Sequence, residues 1–544
     1  MTRLAPFAVL VLAACGTGLP APSVESWTPD ALTGDAFLPD YSYAGYRWGE
    51  EPIPTPDERA ATVVRATDHG VIADDGRDDT AGLRRALAEA DGVEGWVVVE
   101  LPAGDVELRN LLFIERSQFV LRGAGSGDGG TTLSIPVPMA EMDQPQVMED
   151  LNAYLIANDK TVRTGEYFTP YSWTGGIVWT RAPEGTPAAS NAPLAEGATG
   201  RRGEHTFTLT SAAGLREGQT MRLGWFSREG ADSPVLQHIY GMPTGLDGSR
   251  LWEKPDEPLV TQEVTVTDVS GRTVTVHEPL LHDLRPEWSA PLAPETRLEN
   301  VGIEGIRFQF PEGEYAGHHL EPGYNALYLT DLRDGWVRDV AFVNADSGIL
   351  SDRCANLTLD GVLVEGRVGH YGVHLGNVER ALLTDFRTTG WMEHPVSFNT
   401  GARQSVITNG SIVSPQLDQH RGANHTNLYD DLHLVEPMET ERVFEHGGAG
   451  YWGPTHGVAN TFWNVRLDLT RPAAFDAPLV LDGIKASGEG AAFVVGFSAN
   501  VPVEIDYPGA VVEGTNRPGL AIPSLYRHQR AQRGLPARAV ASTP

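Results

Sequence analysis

Asp339-Val340-Ala341-Phe342-Val343 returns 21 residues later as Asp360 with Val362-Leu363-Val364, and the return continues down the chain. Asp385 precedes Phe386-Arg387, Asn409 precedes Ser411-Ile412-Val413, Asp431 precedes Leu432-His433-Leu434-Val435, and Asn464 precedes Val465-Arg466-Leu467. The successive intervals are 21, 25, 24, 22 and 33 residues. A period in the low twenties with one short β-branched run per period matches one coil of a β-solenoid. Each coil needs several tight corners, which accounts for 60 glycines in 544 residues without disorder. Stacked Asx side chains hydrogen-bond the corners of adjacent coils, so these six are assigned to structure and not to catalysis.

Upstream of the repeat, Asp68-His69-Gly70-Val71-Ile72-Ala73-Asp74-Asp75-Gly76-Arg77-Asp78-Asp79-Thr80 runs into Leu83, Ala86 and Leu87. An Asp-rich turn ahead of that spacing predicts a capped amphipathic helix. Strand Trp96-Val97-Val98-Val99 follows, then Leu101-Pro102-Ala103-Gly104, then Phe119-Val120-Leu121-Arg122-Gly123-Ala124-Gly125. This order resembles the N-terminal end of the pectate-lyase-like superfamily, departing from its pattern at Leu83-Arg84 and at His69. The resemblance implies an all-β, right-handed, single-stranded parallel β-helix of the pectin-lyase-like kind with an N-terminal capping helix. It carries no chemistry by itself, since enzymes and adhesins share the fold. Gly123 to Gly127 is read as a coil corner, because strand residues follow it where a nucleotide loop needs a helix.

The remaining organisation follows by difference. Residues 1–14 hold Arg3 and an apolar run too short for a bilayer, which takes about 20 residues, and read as a lipoprotein signal peptide. Leu12-Ala13-Ala14-Cys15 looks like a lipobox, making Cys15 the lipidation site and leaving Cys354 alone. Residues 15–60 read as a linker, 61–134 as the cap and first coils, and 135–297 as a small antiparallel β insertion with period-two runs such as Thr273-Val274-Thr275-Val276. The main coils occupy 298–515 and a basic, helical, solvated tail 516–544. Seventy-two acidic against 41 basic residues, a formal charge of −31, argue against a nucleic-acid binder, and two cysteines against a disulfide scaffold.

Six of the 16 histidines (370, 374, 394, 420, 425 and 433) fall within 64 residues, with Arg403 and Arg421 among them. Aligning the strand starts at Gly348, Gly372, Pro395 and Asn427 stacks Asp346, His370 with Tyr371, Glu393 with His394, and His425 in one external column. Pro415 to His425 is read as the longest loop bordering it. His374 and His433 alternate with apolar residues and are read as structural. A His/Arg/Tyr/acid groove suits a linear glycan, and two mechanisms compete. In β-elimination on a uronic acid, Arg421 or Arg403 neutralises the carboxylate while His370, His420, His425 or Tyr371 supplies acid and base. In hydrolysis, two of Glu393, Asp418 and Asp346 flank the scissile bond.

A second resemblance, to a motif train in bacterial β-helix proteins of the same group, covers Leu417 to Asn464. It ranks Asp418, His420, Arg421 and His456 above isolated histidines. His420, Arg421, His370, Tyr371, Glu393 and Asp418 are therefore the catalytic candidates, with His394, Arg403, His425, His456, Trp391 and Trp452 as substrate-binding candidates. No metal ligand is assigned, since His420 with His425 lacks an HExxH or Cys/His set; the superfamily resemblance leaves calcium as the cofactor candidate. The expectation is an exported or lipid-anchored polysaccharide lyase of the cell envelope, monomeric or trimeric, with a glycoside hydrolase or a carbohydrate-binding adhesin as rivals.

Overall fold

In the computed structural model the described residues are 27–32, 38–144, 149, 151, 169–183, 192–211, 214–228, 233–240, 256–414, 416–436, 443–444, 446–447, 453, 455–474, 478–482, 492–517 and 519–536. Two long, mainly parallel sheets run the length of the molecule, and each chain turn contributes one strand to each. The chain is a right-handed parallel β-helix. The first sheet stacks Val301–Gln309, Trp336–Val343, Thr358–Glu365, Leu382–Thr388, Val406–Val413, Leu428–Glu436 and Thr461–Leu469 in register. One inward column reads Ile303, Val337, Leu359, Leu383, Ile407, Tyr429, Phe462 and Val494, every member buried. Strands about 4.8 Å apart bring these side chains into contact rung upon rung, so the core is a continuous rod.

The corners explain the Asx periodicity and correct it at one position. Gly305, Asp339, Gly361, Asp385, Asn409, Asp431, Asn464 and Gly496 all take left-handed backbone and lie at matching positions of successive first-sheet rungs. Asp360 is one residue off this column, and Gly361 (φ +68°) fills the place. Asx side chains bond along it, Asn464 Nδ2 donating to Asp431 Oδ1 at 3.1 Å and Asn409 to Asp385. A second left-handed column holds Asn300, Asp334, Asn356, Arg380, Gln404, Thr426 and Ala459, and a third holds Asp331, Arg353, Asn377, Thr400 and Arg421. Arginine and threonine there show that stacking, not local preference, imposes the conformation.

The cap is helix Thr80–Asp91, which lays Leu83, Ala86, Leu87 and Ala90 on the end of the rod. Asp78 accepts the Thr80 N–H at 3.0 Å and Asp79 the Ile72 N–H at 3.0 Å, ordering the turn before it. The antiparallel insertion is present as a closed barrel of Ala195–Gly200, Thr206–Leu209, Thr220–Trp225, Val260–Ser270, Thr273–Val276 and Pro291–Pro294. Its own core includes Phe207, Met221, Leu223, Trp225, Val264 and Val274, with helix Pro234–Tyr240 packed on through Leu236 and Ile239.

The described parts of the spans read as a linker and as a solvated tail depart from those roles. Tyr41, Ala44 and Tyr46, within the span read as a linker, are buried on the outer face of the first sheet. Tyr41 donates to Ala459 O at 2.9 Å and Tyr46 to Asn300 Oδ1 at 2.7 Å. The tail forms helix Leu525–Gln532 but is clamped rather than solvated. Tyr526 donates to Ala44 O at 2.8 Å, and Arg533 lies 3.6 Å over the Tyr43 ring. Aromatic rings with hydroxyls that reach backbone acceptors make such a strap a packed element.

Candidate functional site

On the second sheet, strands Ser347–Ala355, Gly369–Gly376, Met392–Asn399 and Leu417–His420 lie parallel, and their register decides which side chains meet. Tyr371 pairs with His394, His374 with Ser397 and then Asp418, and Gly376 with Asn399 and then His420. Leu417–His420 is thus a strand, not part of the loop expected from Pro415 to His425, and this is what brings Asp418 and His420 beside His394. A side chain at position 372 would meet the Pro395 carbonyl oxygen at 2.4 Å, so glycine there lets this strand pack closely on the next.

The Tyr371 ring stacks on His370 at 4.2 Å and on His394 at 4.8 Å, and meets His374 edge-on at 4.8 Å. His420 closes on His394 at 4.9 Å between ring centroids. Asp418 is fully buried and faces two imidazoles, its Oδ2 3.4 Å from His394 Nδ1 and its Oδ1 3.6 Å from His420 Nδ1. Ser397 Oγ donates to Asp418 Oδ2 at 2.5 Å. Burial pushes the Tyr371 phenol well above its ordinary range, with the Asp418 charge adding to the effect and Arg421 opposing it. Tyr371 therefore keeps its proton at physiological pH.

The segment before Asn325 supplies members that sequence reasoning missed. Glu321 is fully buried and lies 3.2 Å from His370 Nδ1. It accepts from Tyr315 Oη at 2.5 Å, Ser172 Oγ at 2.7 Å and the His319 N–H at 3.0 Å. Burial by itself would raise this carboxyl. The His370 imidazole 3.2 Å away, with the hydrogen bonds from Tyr315 and Ser172, outweighs it and holds Glu321 well below the usual carboxylate range. His318 and His319 pack over His370 at 4.7 and 5.6 Å, and burial beside other imidazoles pushes them down to about 3 and about 4. The only sequence signal for this group was the His318-His319 pair close before Glu321, off the coil period.

Not every expected groove residue is here. His370, Tyr371, His394, Asp418 and His420 come together; Arg403, His425 and His456 lie elsewhere. Arg403 pairs with buried Glu379 at 2.9 Å and donates to Thr261 Oγ1 of the barrel at 3.0 Å. His425 Nε2 meets His282 Nε2 at 2.9 Å across the barrel junction. His456 is buried at the far end, 2.7 Å from Tyr507 Oη and 3.3 Å from Gln419 Nε2. Column assignment by strand starts fails for His425 because it belongs, with Arg403, to a third, short face, bridged Glu379 to Arg403 to His425. Glu393 and Trp391 are half-buried at the start of the His394 strand, with the Glu393 charge felt at Tyr315. Arg421 occupies a left-handed corner (φ 50°) directly after His420. Trp452 and Cys15 lie outside the described residues.

Fold and cluster together define a parallel β-helix that holds a buried tyrosine–imidazole–carboxylate cluster on its outer face. No family model and no curated protein sequence matches the chain. Among solved structures it is similar over 84% of its length to the tailspike gp49 of Pseudomonas phage LKA1, covering 77% of that chain at 14% identity and a TM-score of 0.45. It is similar over 84% to the A-module of the mannuronan C-5 epimerase AlgE4 of Azotobacter vinelandii, covering 96% of it at 11% identity and TM-score 0.37. It is likewise similar over 84% to a DFA-IIIase of Arthrobacter chlorophenolicus, covering 93% of it at 13% identity and TM-score 0.38.

Proposed function

We propose that the cluster performs acid–base cleavage of a glycan, by β-elimination on a uronic-acid unit. The observation that carries this reading is the Glu321–His370–Tyr371 arrangement. Glu321 lies 3.2 Å from Nδ1 of His370 as its charge partner, and the ring is buried with neither nitrogen hydrogen-bonded among the described residues, so Nε2, on the side away from Glu321, is open to substrate. A carboxylate that fixes one imidazole nitrogen leaves the other as a base. His370 then removes the C5 proton, and the stacked, neutral Tyr371 protonates the departing glycosidic oxygen. Arg421, whose charge reaches Tyr371, supports the sugar carboxylate. Glu321 held deprotonated is a poor general acid, which disfavours hydrolysis through this carboxyl. The polymer would enter beside His318 and His420, the exposed and half-exposed members. The same reading puts the protein outside the cell, lipid-anchored at Cys15.

The test is incubation of purified protein with a panel of uronate and neutral glycans. Unsaturated-sugar absorbance marks elimination, new reducing ends without it mark hydrolysis, and retention without turnover marks binding alone. His370→Ala and Tyr371→Phe should each lower elimination by about 10²-fold or more; unchanged rates in both sink the assignment.

A further inference from the structure

Asp418, His394 and His420 are spaced neither as hydrogen-bonded pairs nor as strangers. Charge-assisted N–H···O bonds run about 2.7–2.9 Å, yet the two imidazole Nδ1 atoms stand 3.4 and 3.6 Å from the two carboxylate oxygens. Asp418 Oδ1 and His420 Nδ1 are buried atoms without a hydrogen-bond partner among the described residues. Leaving such buried atoms unpaired is unfavourable, so the arrangement asks for something between them. With metal–ligand bonds of about 2.0–2.2 Å, adjacent ligand atoms of a tetrahedron lie about 3.3–3.6 Å apart. Each N···O separation has the length of such an edge, one to each oxygen of the carboxylate, and one ligand atom from each of the three residues lies within 4.8 Å of the others. Ser397 Oγ donates to Asp418 Oδ2 at 2.5 Å, as an outer partner orients a metal-binding carboxylate.

We propose that His394, Asp418 and His420 form a binding site for a divalent ion of the zinc class, with a fourth coordination position left for water or substrate. Two imidazoles and one carboxylate suit Zn²⁺ or Co²⁺. They do not suit calcium, which takes six to eight oxygens. A neighbouring group, His318, His370 and His394, also lies within ligand range, but His370 is engaged by Glu321 and that group brings no carboxylate to balance the ion. Resting on the glycan reading above, the ion's role is to put positive charge beside Tyr371, against whose ring His394 stacks. A chain of formal charge −31 needs such local charge to hold an anionic sugar.

The test strips the full chain with chelator, titrates it with Co²⁺ and then displaces Co²⁺ with Zn²⁺, all without polymer. One equivalent with the visible absorption of a four- or five-coordinate Co²⁺ site is expected. Asp418→Asn and His420→Gln should each weaken binding by about tenfold or more, and His433→Ala, on the surface, should not. Zn²⁺ X-ray absorption of the unmutated protein, which needs no variant to fold, should show two imidazoles and oxygen. Less than a tenth of an equivalent bound, unchanged binding in both folded variants, or an all-oxygen shell overturns the site. Uptake without turnover of any polymer leaves the site standing and sinks the elimination reading; turnover by a chain that takes up no ion does the reverse.

Discussion

Glu321 and His370 come from different turns of the chain, 49 positions apart, and meet because the segment before Asn325 folds back over the second sheet. Glu321→Gln removes the charge while keeping the shape. It should lower turnover by about 10- to 100-fold in steady-state assays with the variant still folded, since only the imidazole's orientation and its charge partner change. A rate equal to that of the unmutated enzyme would remove Glu321 from the mechanism. At the corners the same scale of reasoning applies to stability. Gly361 has φ +68°, and an added Cβ would find only ordinary contact at 3.4 Å, so Gly361→Ala isolates the left-handed backbone cost. Denaturant unfolding should show a loss of about 1 kcal/mol.

Between elements, the junction of barrel and β-helix is built from buried charge and buried imidazoles. Glu263 of the barrel pairs with Arg297 at 2.9 Å and Arg333 at 3.2 Å, and its N–H donates to Glu379 at 2.8 Å. His425 donates from Nδ1 to Ala423 O at 2.6 Å, so its Nε2 accepts from His282 at 2.9 Å; both rings are neutral in this arrangement. Burial, with neighbouring Arg403 and Arg202, pushes His425 down to about 3; burial beside His425 and His238 takes His282 well below its ordinary value. Burial and Arg202 take His238 to about 4. Because the folded-state values are depressed, the unfolded chain binds more protons between about pH 6.5 and those values. Stability from this junction is therefore full above about pH 6.5 and is lost as pH falls toward about 3. Thermal melts from pH 7 to 4 should show a falling Tm, and the slope should shrink in His282→Gln. A flat profile, or an unchanged slope in the variant, contradicts this account.

For the molecule as a whole, the clamp of the two chain ends and the net charge matter most. Asp430 Oδ1 accepts the Leu525 N–H at 2.8 Å and Oδ2 the Ser524 hydroxyl at 2.5 Å, pinning the terminal helix, while Trp463 donates to Ile522 O at 2.7 Å. Deleting residues from 523 onward uncovers apolar surface including Trp463 and leaves Asp430 without these two donors. Unfolding should become easier by several kcal/mol, as expected when a buried polar network and a packed element are lost together. A Tm unchanged within about 2 °C would show that the strap is dispensable. At −31 the chain repels an anionic polymer beyond the groove. Salt up to about 0.15 M screens exposed charges over about 8 Å, so KM for a uronate polymer should fall as salt rises from low ionic strength; a KM that rises instead would mean that groove cations dominate the encounter.

Periodicity alone determined that this protein is a stack of coils, because a repeat in the low twenties with one β-branched run per turn leaves few other ways to bury its apolar side chains. It also located the cap helix, the β insertion and the histidine-rich segment that holds most of the cluster. Only tertiary structure decided which histidines meet. A register change of one residue turns a side chain to the opposite face, and strand starts read from glycine and Asx do not fix that register, as Asp360 beside Gly361 shows. His425 looked equivalent to His370 and His394 in sequence yet stands with Arg403 on a third face against the barrel. Glu321, His318 and Tyr315 sit in a segment without period and reach the site by a fold-back that no local pattern records. Chain-end residues with the composition of a linker and a tail become a buried clamp because aromatic hydroxyls find acceptors on distant coils. The coil follows from local pattern; the site follows from register and long-range contact.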